Sequence, residues 1–593
     1  MKSILKKASN YLPYFIGLFT GLYFVTLKIT GIGFTHFAGN LADGRLNLYF
    51  LEHAHQFFTG VVDSFWDAPF FYPEKNAIGY SDNLLGSAPI YSFFRLIGLS
   101  TLTAYQWWYV SLAVLNFSCA YLFLNNVFKN RYSAVLGAMV FAFSIALFSQ
   151  LAHAQTFPRF AIPLALLYVF KFDENLDPKH FFLAVLMIVY QIYCGIYLGF
   201  MLIIPSAILL LLILIRQFKV HKTLIFSKSW LTKMSVGLIV NVLILLPLML
   251  PYLERSHTAS LDHYFKLLPN VPTLTSHFFS FSGTLFWDFL SQIGGDIPHW
   301  WNHRIFAGGV ATLCFIFFLF KVVKDRIQKK QASNKDKLIF NFSIAAFLTF
   351  FIYIRFDELS TYIVVYFLPG FSAIRSLARI INIELIFFAF ATSFTFSLIS
   401  NQLKKYQPIV FVALVGLILI DNATVEGTGS RTEKSEAETR LATLVSIMEK
   451  FPVNSVVSYE PIIKTDPVAY YLVDGMLAAQ VCNLNAVNGY SAKSPAVYYK
   501  YWKHLDRESR NDWFAYKKYK IDTIYAVYGK NNFEVVTQAN LNVENPKNKL
   551  LRQIEKLKSN PKFFKSIKLK AKKRGIPVDS MLKLDAIWLI ERR

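Results

Sequence analysis

Charge is scarce in this sequence. Asp, Glu, Lys and Arg together make up 17% of 593 residues, and acids are the scarcer sign, 37 against 61 Lys and Arg. A soluble domain carries about 25% charge, and a disordered chain is poorer in apolar residues than the 54% found here. Both classes are excluded. Cysteine is nearly missing: Cys119, Cys194, Cys314 and Cys482 are far apart, and three of them lie in apolar runs. That excludes a disulfide framework and any zinc spacing. No P-loop, no Gly-x-Gly-x-x-Gly after a strand, no His-Glu-x-x-His and no Gly-x-Ser-x-Gly is found. The apolar runs carry no line of acids for a proton relay and no inverted repeat, so coupling to nucleotide or ion gradients has no support.

What is abundant is hydrophobic and aromatic. The mean hydropathy is +0.38, with 58 Phe, 32 Tyr and 10 Trp, as suits lipid-facing surfaces with aromatic rims. The sequence therefore predicts a polytopic α-helical membrane protein. A crossing helix takes about 20 apolar residues. Eleven runs qualify, at 8–27, 103–125, 133–150, 159–172, 180–194, 197–216, 234–253, 305–323, 338–354, 380–400 and 408–421. A further apolar run, 84–99, is interrupted by Gly86, Pro89 and Arg95 and reads as re-entrant or interfacial. No small-residue cleavage site closes the first run, so it is expected to stay as a span.

The net charge of +24 suggests nucleic acid only until its position is noted. It sits in short loops between apolar runs and in a Lys-rich tail, so no nucleic-acid partner is expected. With the N terminus inside, the loop 217–233 is basic and has no acid, and a dense basic run fills 324–337. The loop 28–102 on the other side has Lys28, Arg45, Lys75 and Arg95 against six carboxylates. The positive-inside rule then favours about eleven spans, N inside and C outside. After Asp421 the composition turns polar. Strand-like stretches at Val453–Tyr459, Thr523–Tyr528 and Ala586–Ile590 alternate with helical patterns at 495–505 and 508–519. The expected organisation is a transmembrane domain, 1–421, with large outer loops 28–102 and 254–304, and a soluble extracytoplasmic α/β domain, 422–593.

The two outer loops concentrate titratable groups. His36, His53, His55, Asp43, Glu52, Asp63, Asp67, Glu74 and Asp82 lie in the first. His257, His263, His277, His299, His303, Asp262, Asp288 and Asp296 lie in the second, and His153 and Gln155 fall between two runs. Such a set at one membrane face suggests a polar cavity for acid–base or metal chemistry, or merely polar loops. Asp43, just before a helix-like stretch, reads as a general base, a metal ligand or a helix N-cap. Phe71-Tyr72-Pro73-Glu74 and Tyr80-Ser81-Asp82-Asn83 read as a sugar-binding wall or as an interfacial turn. Arg375 and Arg379, spaced i and i+4 after Leu368-Pro369-Gly370-Phe371, are expected on one helical face, binding phosphate or snorkelling to headgroups.

Taken together, Ala42-Asp43, Phe71-Tyr72-Pro73, Asp82-Asn83-Leu84-Leu85, the His153/Gln155 segment before Pro163-Leu164, Pro369-Gly370-Phe371 with Arg375 and Arg379, and Asn488-Gly489-Tyr490-Ser491 with Pro495 resemble the GT-C superfamily of polyprenyl-phosphate-dependent membrane glycosyltransferases. The resemblance is nearest to poorly characterised bacterial multi-pass members of that fold. It implies inverting transfer of a sugar from a polyprenyl-phosphate donor to a glycan, lipid or protein acceptor at the outer face of the bacterial cytoplasmic membrane. Asp43 would be the catalytic residue, as base or metal ligand, Arg375 and Arg379 the donor phosphate ligands, and Tyr72, Glu74, Asp82, Asn83, His153 and Gln155 the substrate-binding residues. Asp43-Gly44-Arg45 holds one acid rather than an Asp-x-Asp, so a divalent metal, Mg or Mn, is an optional cofactor with Asp43, His53 and His55 as candidate ligands. A flippase of a lipid-linked glycan and a non-catalytic envelope scaffold are the alternatives.

Overall fold

The computed structural model describes residues 2–255, 259–328, 333–425, 427, 429–495, 499–515, 521–529, 532–537 and 546–592. All eleven apolar runs are helical. Six helices among the described residues are long and apolar enough to cross a membrane: Tyr11–Thr30, Thr101–Phe128, Arg131–Gln150, Ile196–Ile225, Lys228–Glu254 and Leu377–Ser400. The protein is a polytopic helical membrane protein. The run 84–99 yields only the helix Ala88–Leu96, of 9 residues. At a rise of 1.5 Å per residue this is about 14 Å, half the thickness of a bilayer core.

The chain divides into two compact units. The first comprises Met1–Phe65 and Asp82–Glu436, the second Trp66–Ser81 and Ala437–Arg593. The division falls at Glu436 and not at 421, because Arg431–Glu433 forms an antiparallel pair with His36–Ala38, which ties those residues to the helical unit. The excursion of Trp66–Ser81 out of the first outer loop also has a backbone cause. The Tyr72 N–H donates to the Ala486 carbonyl at 2.9 Å, and the Ala486 N–H to that of Pro69 at 2.9 Å. Gly489 lies against Phe71 so closely that a Cβ there would sit 1.8 Å from the ring.

Within the second unit a four-stranded sheet runs in the order Asn485–Ala486, Val456–Tyr459, Thr523–Gly529, Asn532–Thr537, the first two pairings parallel and the last antiparallel. Val468–Val481 and the helix ending at Met448 pack on it through Leu444, Ile447, Val457 and Ala478. Three helices follow, Pro546–Ser559, Pro561–Arg574 and Val578–Arg592. The last of these replaces the strand expected at Ala586–Ile590. Met581, Leu582 and Ala586 are buried at helical spacing against Leu557, Ile567 and Ala571, and this period outweighs the short apolar run that reads as a strand.

The helical unit is held by ring packing. Phe390, on the helix Ile381–Leu403, has the rings of Phe342 at 4.2 Å, Phe128 at 4.9 Å, Phe318 at 5.8 Å and Phe170 at 6.0 Å. Close approach of the same helix to Arg131–Phe143 needs Gly137, where a Cβ would stand 2.4 Å from the Ala389 carbonyl oxygen. In an apolar solvent helices gain little from the hydrophobic effect, so contact of this kind carries their association. Removing the Phe390 ring leaves a cavity among five other rings, the fifth being Phe123 at 6.1 Å. Phe390→Ala is expected to cost about 3–5 kcal/mol, as large aromatic truncations do, read as a fall in Tm by scanning fluorimetry of the detergent-solubilised protein. An unchanged Tm would disprove the central role of this cluster.

Candidate functional site

Five chain segments of the helical unit bring the sequence candidates together, each at a helix end. The first is the turn after His36–Ala38. Gly39 (φ +111°) donates its N–H to the Ser430 carbonyl at 2.9 Å, and a Cβ on it would lie 2.7 Å from Gly44 Cα. Only glycine fits that turn, which delivers Asp43 into the first position of the helix Asp43–Phe58. Asp43 is not the N-cap. Asn40 does that work, its Oδ1 accepting from the N–H groups of Ala42 at 3.0 Å and Gly44 at 3.4 Å.

The second and third segments meet at a helix break. Pro178–Cys194 and Ile196–Ile225 are separated by Gly195 alone. Asp82 Oδ1 accepts from the Ile196 N–H at 3.1 Å and from the Asn83 N–H at 3.0 Å, so it meets the positive end of a long helix. A Cβ on Gly195 would stand 2.6 Å from the Gln155 carbonyl oxygen, which brings the His153/Gln155 segment, the fourth, alongside. Asn83 is fully buried, with Oδ1 on the Leu85 N–H at 2.8 Å, and Tyr252 lies within electrostatic reach of Asp82.

The fifth segment corrects an expectation. Arg375 and Arg379 do not share a helical face: Ile374–Ser376 is non-helical, and only Arg379 lies in a helical turn, Leu377–Ile380. Gly370 (φ +87°) turns the chain against the Phe200 ring, and Ile374 is extended, which breaks the i, i+4 relation. The two cations stay together by tertiary packing. The Arg375 N–H donates to the Tyr197 hydroxyl at 3.4 Å, and the Arg379 guanidinium lies 5.2 Å from the Tyr197 ring centroid. Arg379 interacts electrostatically with Asp43, Asp82 and Arg375.

The surroundings set the protonation states. Burial pushes the Asp82 carboxyl up to about 6, against the pull of the Ile196 and Asn83 N–H groups and Arg379. Burial, aided by Arg379, pushes His153 down to about 3, so its imidazole is neutral at physiological pH. Arg379 Nε and Gln155 Oε1 are buried without a hydrogen-bond partner among the described residues. Buried polar atoms rarely go unmet in a folded protein. Two cations and two acids with one unmet donor and one unmet acceptor form a place suited to an anionic, hydroxyl-bearing ligand.

Other candidates lie elsewhere. Tyr72 and Glu74 belong to the second unit, where the Glu74 N–H donates to the Phe71 carbonyl at 2.9 Å. His53 Nε2 donates to the Phe65 carbonyl at 2.9 Å, and His55 Nδ1 bonds Ser92 Oγ at 2.8 Å. They follow Asp43 on its helix by ten and twelve residues, about 15 and 18 Å of rise. Asp43, His53 and His55 therefore do not converge on one ion, and among the described residues no three His, Cys, Asp or Glu gather as metal ligands. The metal set expected from the sequence does not fit. His257 lies outside the described residues. His277 is held by Glu384 at 3.1 Å and His303 by the Pro269 carbonyl at 2.8 Å. Sequence reading missed Gly195, Tyr197 and Tyr252, although a glycine alone between two apolar runs was a visible signal.

No family model matches this chain, and no curated protein matches it. Among solved structures it is similar to a crystal structure of ArnT from Cupriavidus metallidurans in the apo state, at 12% identity over 88% of this chain and 93% of that one, with a TM-score of 0.33. Similarity of that degree carries no argument about chemistry.

A raised carboxyl has a stability signature. Unfolded, Asp82 loses its proton near its ordinary value of about 3.9; folded, it keeps it to about 6. Between these values the folded protein holds the extra proton, so the contribution of Asp82 is present at low pH and is lost as pH rises toward about 6. Wild type is expected to lose more thermal stability across that window than Asp82→Asn, which keeps the Oδ1 acceptor. Equal pH slopes of Tm would refute the shift.

Proposed function

We propose that this protein is a GT-C-type glycosyltransferase of the bacterial cytoplasmic membrane, which transfers a sugar from a polyprenyl-phosphate donor to an envelope glycolipid, glycopolymer or protein. The observation that carries the reading is the gathering of Asp43, Asp82 and Arg375 around the half-buried Arg379 at helix ends of the membrane unit. The proposed topology is eleven spans with the N terminus inside and residues 422–593 extracytoplasmic, supported by the basic loops 217–233 and 324–337. No nucleotide sugar is present outside the cytoplasm, so a transferase there needs a lipid-carried donor.

The Asp43 carboxylate takes the proton of the acceptor hydroxyl as its oxygen attacks the anomeric carbon. The bond from that carbon to the phosphate oxygen breaks, and its electron pair leaves with the polyprenyl phosphate. Attack opposite the leaving group inverts the anomeric centre. Arg375 and Arg379 neutralise the charge that develops on the departing phosphate, which costs little reorganisation because Arg379 is already held against Tyr197. Asp82 fixes the start of the helix that carries Tyr197. Neutral His153 and the unmet Gln155 Oε1 are assigned to sugar hydroxyls. Tyr72 and Glu74 are assigned to carbohydrate contacts of the second unit.

Mass spectrometry of envelope glycolipids, glycopolymers and glycoproteins from a deletion strain tests this. One glycan is expected to lose a sugar, restored by wild type and not by Asp43→Asn, since loss of a general base costs roughly 10²–10⁴-fold in rate. Full restoration by Asp43→Asn would remove Asp43 from the chemistry, and an unaltered glycan profile in the deletion strain would sink the transferase. Arg379→Gln is expected to lower turnover by roughly 10²–10³-fold, the usual loss when a charge-stabilising donor is removed, measured by transfer from radiolabelled lipid donor in membranes. Turnover within threefold of wild type would exclude the phosphate role.

A further inference from the structure

A second buried cation lies apart from this site. Arg159 is 3% exposed. Its Nη1 donates to Asn382 Oδ1 at 3.1 Å and its Nη2 to the Phe141 carbonyl at 3.4 Å, while Nε has no partner among the described residues. None of these acceptors carries charge. Among the described residues the titratable group acting on the guanidinium is the Tyr109 phenol. A guanidinium does not lose its proton in a protein, so burial without a countercharge costs several kcal/mol unless an anion is supplied.

The surroundings contain room for one. Arg159 lines a cavity of about 40 Å³. A single water needs roughly 10–15 Å³ on this measure, so the space takes about three waters or one tetrahedral oxyanion. Its polar wall includes Asn116 and Gln150, and Gln150 Oε1 is a second buried atom with no partner among the described residues. The rest of the lining is mostly apolar and includes Val25 and Ile29 of the first candidate span. Val25 sits in a π-helical turn, Leu22–Thr26, which interrupts that span beside the cavity. Such turns frequently mark functional positions. None of Asp43, Asp82, His153, Gln155, Arg375 or Arg379 lines this cavity.

We infer that the Arg159 cavity is a binding site for a phosphate group, held by the guanidinium and met by a hydroxyl or water at Gln150 Oε1, with the apolar wall of the first span receiving the chain of a phospholipid. The guanidinium fork matches a phosphate oxygen pair better than it matches a spherical ion. The inference stands independently of the transferase reading, because its test reads binding and not transfer.

The full-length protein in neutral detergent is titrated with inorganic phosphate in one arm and with dihexanoyl phosphatidic acid in the other, and Tm is followed. Stabilisation by the short-chain lipid, reduced about tenfold in apparent affinity in Arg159→Gln, is the expected result. An equal response to inorganic phosphate, also dependent on Arg159, keeps the phosphate site and assigns it to the free ion. Ala113→Phe, which fills the cavity and leaves the charge in place, is expected to abolish the response and covers the case in which Arg159→Gln does not fold. A wild type that neither responds to either probe nor retains a phosphate-bearing adduct in native mass spectrometry overturns the inference, as does a response that both variants keep.

Discussion

Between Cys194 and Ile196 the chain stops being helical for one residue, and the N–H groups that begin the helix Ile196–Ile225 have no preceding turn to bond. In water they would be solvated. In an apolar unit they need a partner, and the partner is Asp82, delivered from a loop more than a hundred residues away. Meeting that need fixes the 82–87 segment against the break, where the Gly86 N–H also bonds the Tyr193 carbonyl at 2.7 Å. It also fixes Gln155, whose carbonyl approaches Gly195 too closely for any side chain there. The rest of the candidate site is arranged around this one satisfied helix end.

Charge follows from the same constraint. Asp82 is kept from ready ionisation by burial, yet it is the natural neighbour for a half-buried cation, and Arg379 occupies that role with Tyr197 beneath it. A low-dielectric setting makes each such interaction stronger than at a water-exposed surface and makes each unmet atom expensive. That is why the orphaned Nε atoms of Arg379 and Arg159 are costly, whereas the exposed Lys266–Asp262 pair contributes little.

Packing supplies the rigidity that a charge-based site needs. Phe390 and its ring neighbours account for part of the unusual phenylalanine content, and Gly137 allows the two helices at the centre to approach. Glycine is used in the same way at Gly39 and Gly195, where the site is made. In each case a missing Cβ lets backbone reach backbone, and the functional side chains are carried in on neighbouring residues.

Legible in the sequence alone are the membrane class, the positions of the eleven apolar helices and the choice of Asp43, Asp82, His153, Gln155, Arg375 and Arg379 as candidate residues. These are legible because hydrophobic run length and charge position act locally, within one helix or one loop. It did not reveal that Arg375 and Arg379 meet through Tyr197 rather than along a helix, that Asn40 rather than Asp43 caps its helix, or that Trp66–Ser81 leaves its loop to pair with Ala486 and Asn488. The strand expected at Ala586–Ile590 failed for a related reason, since a five-residue apolar run carries no information about the helices it packs on. Tertiary structure decided these points because each depends on which distant group satisfies a backbone N–H, a guanidinium or an apolar face, and sequence spacing does not encode that partner.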